Sequence, residues 1–239
     1  DTVSNVETLS FDDGQKQLVT MFSNYGGSSM NNITGSDYDD TIDADTLRSA
    51  YNTANHTSIA ITSDVINAGA GNDAINAGAG GDQITGGAGN DTINGGNSTF
   101  ADRLSSTSTT NNSGMSENRA LYSGPSKMYT ITAHTDTNGS VTGTSGLAYY
   151  SVRDNRTGSP DGTDTLFNID ALQFTDKEVR LTPSIWINQV NGVKTGIGIT
   201  GTDYDDTLGA STSSLASTFS GSDRLSGGAG NDKISGGAG

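Results

Sequence analysis

The sequence predicts an all-β fold in which short parallel strands stack as a coil, antiparallel strands close the coil, and the whole recurs as tandem modules. Three observations carry this. Residues 68–96 read AGAGNDAIN AGAGGDQIT GGAGNDTIN GG, consecutive nine-residue units with small residues first, Asp sixth and Ile eighth. Residues 33–42, ITGSDYDDTI, return at 199–208 as ITGTDYDDTL. Residues 127–134, 140–152 and 161–174 alternate apolar with polar or β-branched side chains between NG and PDG turn signals, the pattern of antiparallel strands.

Within each nine-residue unit the first six positions form a turn, because glycines at 69, 71, 78, 80, 86, 87 and 89 permit positive φ at little steric cost. The remaining positions, 73–76, 82–85 and 91–94, are too short for a helix and carry one inward aliphatic each, so they are short strands. Two units make one coil of roughly eighteen residues, which stacks Ile75 on Ile93 in one sheet and Ile66 on Ile84 in the other. Such a ladder buries too little apolar surface to offset the ordering entropy of so many glycines. The Asp at position six also stacks above its equivalent one coil away, and unneutralised carboxylates at that spacing repel. A Ca²⁺ between turns removes the repulsion and takes six to eight oxygen ligands, many of which turn carbonyls can supply. Metal binding and folding then become one event.

These units, spelled G-G-x-G-x-D-x-U-x, resemble the RTX (hemolysin-type) calcium-binding repeat. The resemblance implies a calcium-bound parallel β-roll of nonapeptide repeats. In that family an ion sits between turns two units apart, held by carbonyls of positions two and four and the Asp of the first turn, and by carbonyls of positions one and three and the Asp of the second. Carried over, Gly69, Gly71 and Asp73 face Gly86, Ala88 and Asp91. Gly78, Gly80 and Asp82 face a looser turn from Gly95 to Asp102 that holds two extra residues. Asp64 pairs with Ala77, Ala79 and Asp82, although residues 59–63 lack glycine. The degenerate first turns behave alike if their polar inserts loop out. Ser36, Tyr38 and Asp40 then face Ala68, Ala70 and Asp73, while Thr202, Tyr204 and Asp206 face Gly227, Ala229 and Asp232, with Asp223 as the counterpart of Asp64. Asp37, Asp39, Asp203 and Asp205 read as ligands or as surface charge.

A third match sets DTVSNVETLSFDD at 1–13 against DTLFNIDALQFTD at 164–176. The offset is 163 between Phe11 and Phe174 and 166 between Gly35 and Gly201, so the chain samples modules of one length and reads as an excerpt of a longer polypeptide. The expected division is 1–30 as the tail of one module, 33–104 as the calcium roll, 105–198 as its β-rich cap, and 199–239 as the head of the next module. Residues 105–114, SSTSTTNNSG, read as a loop. The run at 161–174 resembles the strand-rich caps between RTX blocks of very large secreted surface proteins, and a cap is physically required because a roll otherwise ends in unpaired strand edges. Trp186 is expected under this cap. Asp161 and Asp164 read as a turn with side-chain-to-backbone bonds in preference to a separate calcium loop.

Twelve basic against 27 acidic residues give a formal charge of −15, and 31% of residues are hydrophobic, which places the metal-free chain near the disordered class. Four or five Ca²⁺ would neutralise about half to two-thirds of that charge. Nucleic acid and anionic membranes are disfavoured as partners by its sign. Cysteine is absent, so metal takes the place of crosslinks, and no run is long enough for a transmembrane helix. The expected partners are Ca²⁺, neighbouring modules and, where arrays associate, identical chains. No HExxH or GxSxG motif is present, His56 and His134 lack zinc-ligand spacing, and the chain reads as non-enzymatic. The RTX resemblance implies type I secretion and a bacterial extracellular location. Two readings of function follow: a structural module of a stalk, surface layer (S-layer), adhesin or fibre, or an accessory roll of a secreted enzyme that aids export or binds polysaccharide. Ice binding would need a longer and more regular ladder of outward residues than positions seven and nine provide.

Overall fold

Aliphatic side chains that recur on successive coils build two ladders, and the chain folds so that these ladders face each other. The computed structural model describes residues 8–11, 14–17, 21–23, 30–56, 58, 63–96, 117–134, 149–182, 184–190, 193–202, 207–209 and 224–235. One compact unit holds the described residues within Asp1–Ser98 and Ser116–Lys177, and a second holds those within Glu178–Gly239.

The strands of the first unit are β1 (Thr8–Phe11), β2 (Gly14–Gln17), β3 (Met21–Ser23), β4 (Met30–Thr34), β5 (Thr41–Asp43), β6 (Ser63–Ala70), β7 (Ala74–Asn76), β8 (Gln83–Ala88), β9 (Thr92–Asn94), β10 (Arg119–Leu121), β11 (Tyr129–His134), β12 (Tyr149–Asp154), β13 (Thr163–Phe167) and β14 (Ala171–Gln173). One sheet runs β14-β10-β8-β6-β4-β3, parallel except that β3 is antiparallel to β4. The other runs β11-β12-β13-β9-β7-β5, parallel from β13 to β5 and antiparallel beyond. Ile33, Ile66, Ile84, Ala120 and Leu172 fill the first ladder, and Ile42, Ile75, Ile93 and Leu166 the second, each no more than 3% exposed. The stacking of Ile75 with Ile93 and of Ile66 with Ile84 is as the nine-residue period predicts.

Two features depart from the sequence reading. The first polar insert is not wholly a loop: Ala44–Asn55 is an α-helix, α1, whose N-cap Asp43 accepts the Thr46 N–H at 2.8 Å and whose end is turned by His56 in the left-handed region. The all-β expectation therefore gains one helix. The second departure concerns the strands after the repeats. β11, β12 and β13 are antiparallel as expected, but β13 also pairs in parallel with β9, and β10 and β14 add parallel rungs to β8. These strands extend the same two sheets. At their end Tyr122, Tyr129 and Phe174 pack with ring centroids 4.9–5.3 Å apart, supplying apolar bulk that the thin ladder lacks.

The second unit contains β15 (Glu178–Arg180), β16 (Ser184–Val190), β17 (Val193–Thr200), β18 (Thr207–Gly209), β19 (Arg224–Ser226) and β20 (Lys233–Ser235). β17 is antiparallel to β16 and parallel to β19, as β4 is to β3 and β6, and β18 pairs in parallel with β20 as β5 does with β7. The near-duplicate sequences thus begin the same fold twice. The Trp186 side chain lies outside the described residues.

Candidate metal centre

The aspartates at position six form two columns along the roll. In the first, the Asp40 N–H donates to Asp73 Oδ1 at 2.7 Å, the Asp73 N–H to Asp91 Oδ1 at 2.9 Å, and the Asp91 N–H to Asp164 Oδ1 at 3.0 Å. In the second, Asn31 Nδ2 donates to Asp64 Oδ1, the Asp64 N–H to Asp82 Oδ1 at 2.8 Å, the Asp82 N–H to Asn118 Oδ1 at 3.0 Å, and the Asn118 N–H to Asp170 Oδ2 at 2.9 Å. One carboxylate oxygen of each aspartate thus locks onto the neighbouring coil. The other oxygen is left over: Oδ2 of Asp64, Asp73, Asp82 and Asp91 is buried without a hydrogen-bond partner, in residues at most 2% exposed. A desolvated anionic oxygen must gain a cation or a proton.

Burial accordingly pushes the Asp73 carboxyl up to about 6, with the Asp91 and Asp40 charges adding. Burial, with the Asp64 charge adding, pushes Asp82 up to about 7. Asp64 and Asp91 are raised too, again chiefly by burial. In the Asp40 turn Ser36 donates both its N–H (2.6 Å) and its hydroxyl (2.8 Å) to Asp40 Oδ2 and closes that turn on itself.

Carbonyls of positions two and four point at the glycines of the turn one coil on. A methyl carbon placed on Gly69 would stand 2.1 Å from the Ser36 carbonyl oxygen, and one on Gly71 2.7 Å from that of Tyr38. On Gly87 and Gly89 it would stand 1.8 and 1.9 Å from the Gly69 and Gly71 oxygens. Gly71 and Gly89 have φ of 124° and 132°, so only glycine tolerates both the backbone and the approach. Asp91 Oδ2 lies over its own position one, 2.1 Å from where a Gly86 side chain would begin. Among the described residues no three His, Cys, Asp or Glu side chains converge, so a cation here depends on carbonyls as much as on carboxylates. Oxygen donors alone, with unmatched negative charge, suit Ca²⁺.

Gly69, Gly71, Asp73, Gly86, Ala88 and Asp91 are thus brought together as the repeat implies, with the Ala88 carbonyl also accepting the Gly71 N–H at 2.9 Å. Ser36, Tyr38 and Asp40 meet Ala68, Ala70 and Asp73, with the Ala70 N–H bonded to the Ser36 carbonyl at 3.2 Å. Thr202 meets Gly228 and Ala229, and Asp232 Oδ2 lies over Gly227. Asp102, Tyr204, Asp206 and Asp223 lie outside the described residues.

Two gaps of the second column differ from expectation. Gly96 lies over the Gly78 carbonyl, as the expected partner turn from Gly95 requires, while residues 97–102 of that turn, Asp102 among them, lie outside the described residues. At position six the neighbour of Asp82 is Asn118, whose Oδ1 accepts the Asp82 N–H at 3.0 Å and whose Nδ2 donates to the Gly95 carbonyl at 2.7 Å. An amide donor therefore occupies a carbonyl that a cation would need. In the gap between Asp64 and the turn of Ala77, Gly78, Ala79, Gly80 and Asp82, α1 intervenes. The Arg48 guanidinium, 3% exposed, reaches within 3.6 Å of Asp64 Oδ2 and also bonds Asp45, whose carboxylate fills the space a side chain at Gly78 would take.

The family model of the RTX calcium-binding nonapeptide repeat matches the chain in four copies, at residues 25–46, 62–84, 67–98 and 217–239. The chain carries RTX calcium-binding repeats. Comparison of the chain with curated proteins gives no match. In the first unit the RTX copies end at residue 98, yet both columns continue beyond them through Asn118, Asp164 and Asp170. Sequence reading missed Asn118 and Asp170, and it read Asp164 with Asp161 as a turn in preference to a separate calcium loop, not as a continuation of the column. The signal for Asp164 was present, since GTDTLF at 162–167 repeats the second half of an RTX unit, GNDTIN at 89–94, and Thr165 and Leu166 pair with Thr92 and Ile93. Arg48 had no signal, because its role depends on where α1 lands.

Proposed function

We propose that the chain is a non-catalytic, calcium-dependent structural module of an extracellular bacterial repeat protein, one that builds a stalk, surface layer, adhesin or fibre and folds on export when Ca²⁺ binds. The observation that carries this reading is the set of buried Oδ2 atoms of Asp73, Asp82 and Asp91 without hydrogen-bond partners, in stacked turns that also present carbonyls. A fold whose polar centre is incomplete without a divalent cation acts as a folding switch: scarce cytosolic calcium keeps the chain unfolded and threadable, and external calcium orders it. Type I secretion fits such a chain. The repetition of the β3-β4-β6 and β5-β7 arrangement by β16-β17-β19 and β18-β20 supports a tandem array, in which calcium-bound modules act as rigid spacers. No helix among the described residues is long and apolar enough to cross a membrane.

Circular dichroism and sedimentation with and without calcium, followed by imaging of the loaded protein, test this. A compact β-rich particle only with calcium, assembling into ordered sheets or filaments, is the expected result. An unchanged β-signal after chelation would overturn it, and persistent monomers would favour the accessory roll of a secreted enzyme.

A further inference from the structure

The last turn that the RTX repeats supply, Gly86–Asp91, has a gap on its far side, and the chain closes that gap with a segment from more than seventy residues later. Gly162, at φ 66°, lies over the Gly89 carbonyl (1.8 Å from a methyl carbon placed on it), as Gly89 lies over that of Gly71 and Gly71 over that of Tyr38. Asp164 follows at position six and takes the Asp91 N–H at 3.0 Å. The first half of this turn is not built as in a repeat, because the chain arrives from β12. Tyr122 and Ser123, following β10, stand there instead.

A cavity of about 60 Å³ remains, lined by Gly86, Gly87, Tyr122, Ser123, Asp161 and Asp164 among others. By the same measure a water needs roughly 10–15 Å³, so an ion and a water fit together. Tyr122 and Asp164 are buried polar residues of its lining, and Asp91 Oδ2 lies over the lining residue Gly86. Asp91 Oδ2 has no hydrogen-bond partner, the Tyr122 hydroxyl faces Asp164 without a formed hydrogen bond, and Asp164 is 2% exposed. Asp161 is already committed: its carboxylate accepts from the Ser123 N–H and hydroxyl and from the Tyr129 hydroxyl, and Arg156 stands 3.0 Å away. Two carboxylates, neutral oxygens and a small enclosed space match the requirements of a hard divalent cation.

We propose that this gap is a calcium site outside the repeats, with carboxylates from Asp91 and Asp164, carbonyls of the Gly87 and Gly89 positions, and the Tyr122 hydroxyl as a further oxygen. The inference rests on the calcium-dependent reading above. Its consequence is that one ion ties three separate stretches of chain, the last repeat turn, the segment after β10 and the start of β13. Calcium then fastens the closing strands to the roll.

The test measures calcium stoichiometry and Tb³⁺ luminescence in the whole chain, for wild type, Asp164→Asn and Tyr122→Phe. Asn at 164 keeps an oxygen for the Asp91 N–H and removes only the charge. Asp164→Asn is expected to bind one calcium fewer than wild type. Tyr122→Phe is expected to stay folded and to lose the part of the tyrosine-sensitised Tb³⁺ emission that arises beside Asp164. If Asp164→Asn does not fold, Tyr122→Phe alone decides. Wild-type stoichiometry and affinity in Asp164→Asn, or unchanged Tb³⁺ emission in Tyr122→Phe, overturns the site while leaving the repeats' calcium binding intact. Failure of wild type to bind any calcium overturns both readings.

Discussion

Asp73 faces two gaps at once, holding the Asp40 N–H through Oδ1 while its own N–H is held by Asp91, and its Oδ2 is buried without a partner. Asp73→Asn keeps the amide-accepting oxygen but puts an NH₂ where an anionic oxygen stood, so both neighbouring ions lose a carboxylate. With free calcium at a hundred times its dissociation constant, each site stabilises the folded state by about 2.7 kcal/mol, so losing two costs about 5 kcal/mol. For a protein of this size that lowers the melting temperature by roughly 10–20 °C. The matched control is Asp39→Asn at the adjacent exposed position, where Asp39 Oδ1 accepts the Asn72 N–H at 2.7 Å and an amide oxygen can do the same. Its expected effect is within about 0.5 kcal/mol. Thermal unfolding followed by circular dichroism, across a calcium titration of both variants, measures the difference. If the two variants shift the melting temperature equally, the bridging role of the buried aspartates is wrong.

Further perturbations probe other parts of the molecule. In the calcium-free chain the folded carboxyls of Asp73 and Asp82, at about 6 and about 7, lie above their ordinary value of 3.8, so the folded state holds protons more tightly than the unfolded one. The stability this contributes is full below about pH 4 and is lost as pH rises through 6 to 7. Acidifying calcium-free protein from pH 7.5 to 5 should therefore raise the β-signal, and a fall would contradict the burial argument. Ile84→Ala empties a rung that is fully buried between Ile66 and Ala120, and should cost about 2–4 kcal/mol in urea unfolding at saturating calcium. An effect below about 0.5 kcal/mol, the size of an ordinary surface change, would mean the ladder is not the core. Arg48→Met strands the buried Asp64 carboxylate and should cost about 3 kcal/mol in the same assay, whereas an unchanged midpoint would reduce the Arg48 contact to an incidental one.

The packing supports the proposed calcium dependence. Each coil contributes one aliphatic residue per sheet to the ladders, while the turns of Asp64, Asp73, Asp82 and Asp91 each bring a carboxylate out of water. The aromatic cluster of Tyr122, Tyr129 and Phe174 adds a conventional core only at the end away from the repeats. Stability along the repeats therefore depends on satisfying the carboxylates, and the far end can order with less help.

Local repetition determined much of this protein from sequence alone. A period of nine with glycine turns fixes the inward place of Ile66, Ile75, Ile84 and Ile93, and it sets Asp73 above Asp91, because a coil of constant length returns each residue to the same azimuth. The duplicated ITGSDYDDTI and ITGTDYDDTL segments likewise foretold that the strand pairings of the first unit would begin again in the second. Tertiary structure alone decided what happens where the period breaks. Asp82 meets Asn118, Asp91 meets Asp164 and Asp64 meets Arg48 across 36, 73 and 16 residues of chain, with no unbroken run of repeats connecting any of these pairs. A coil with an open edge accepts whichever segment presents a matching hydrogen-bond register and a compensating charge, and that choice is made in space by long-range docking, where spacing in the sequence carries no information.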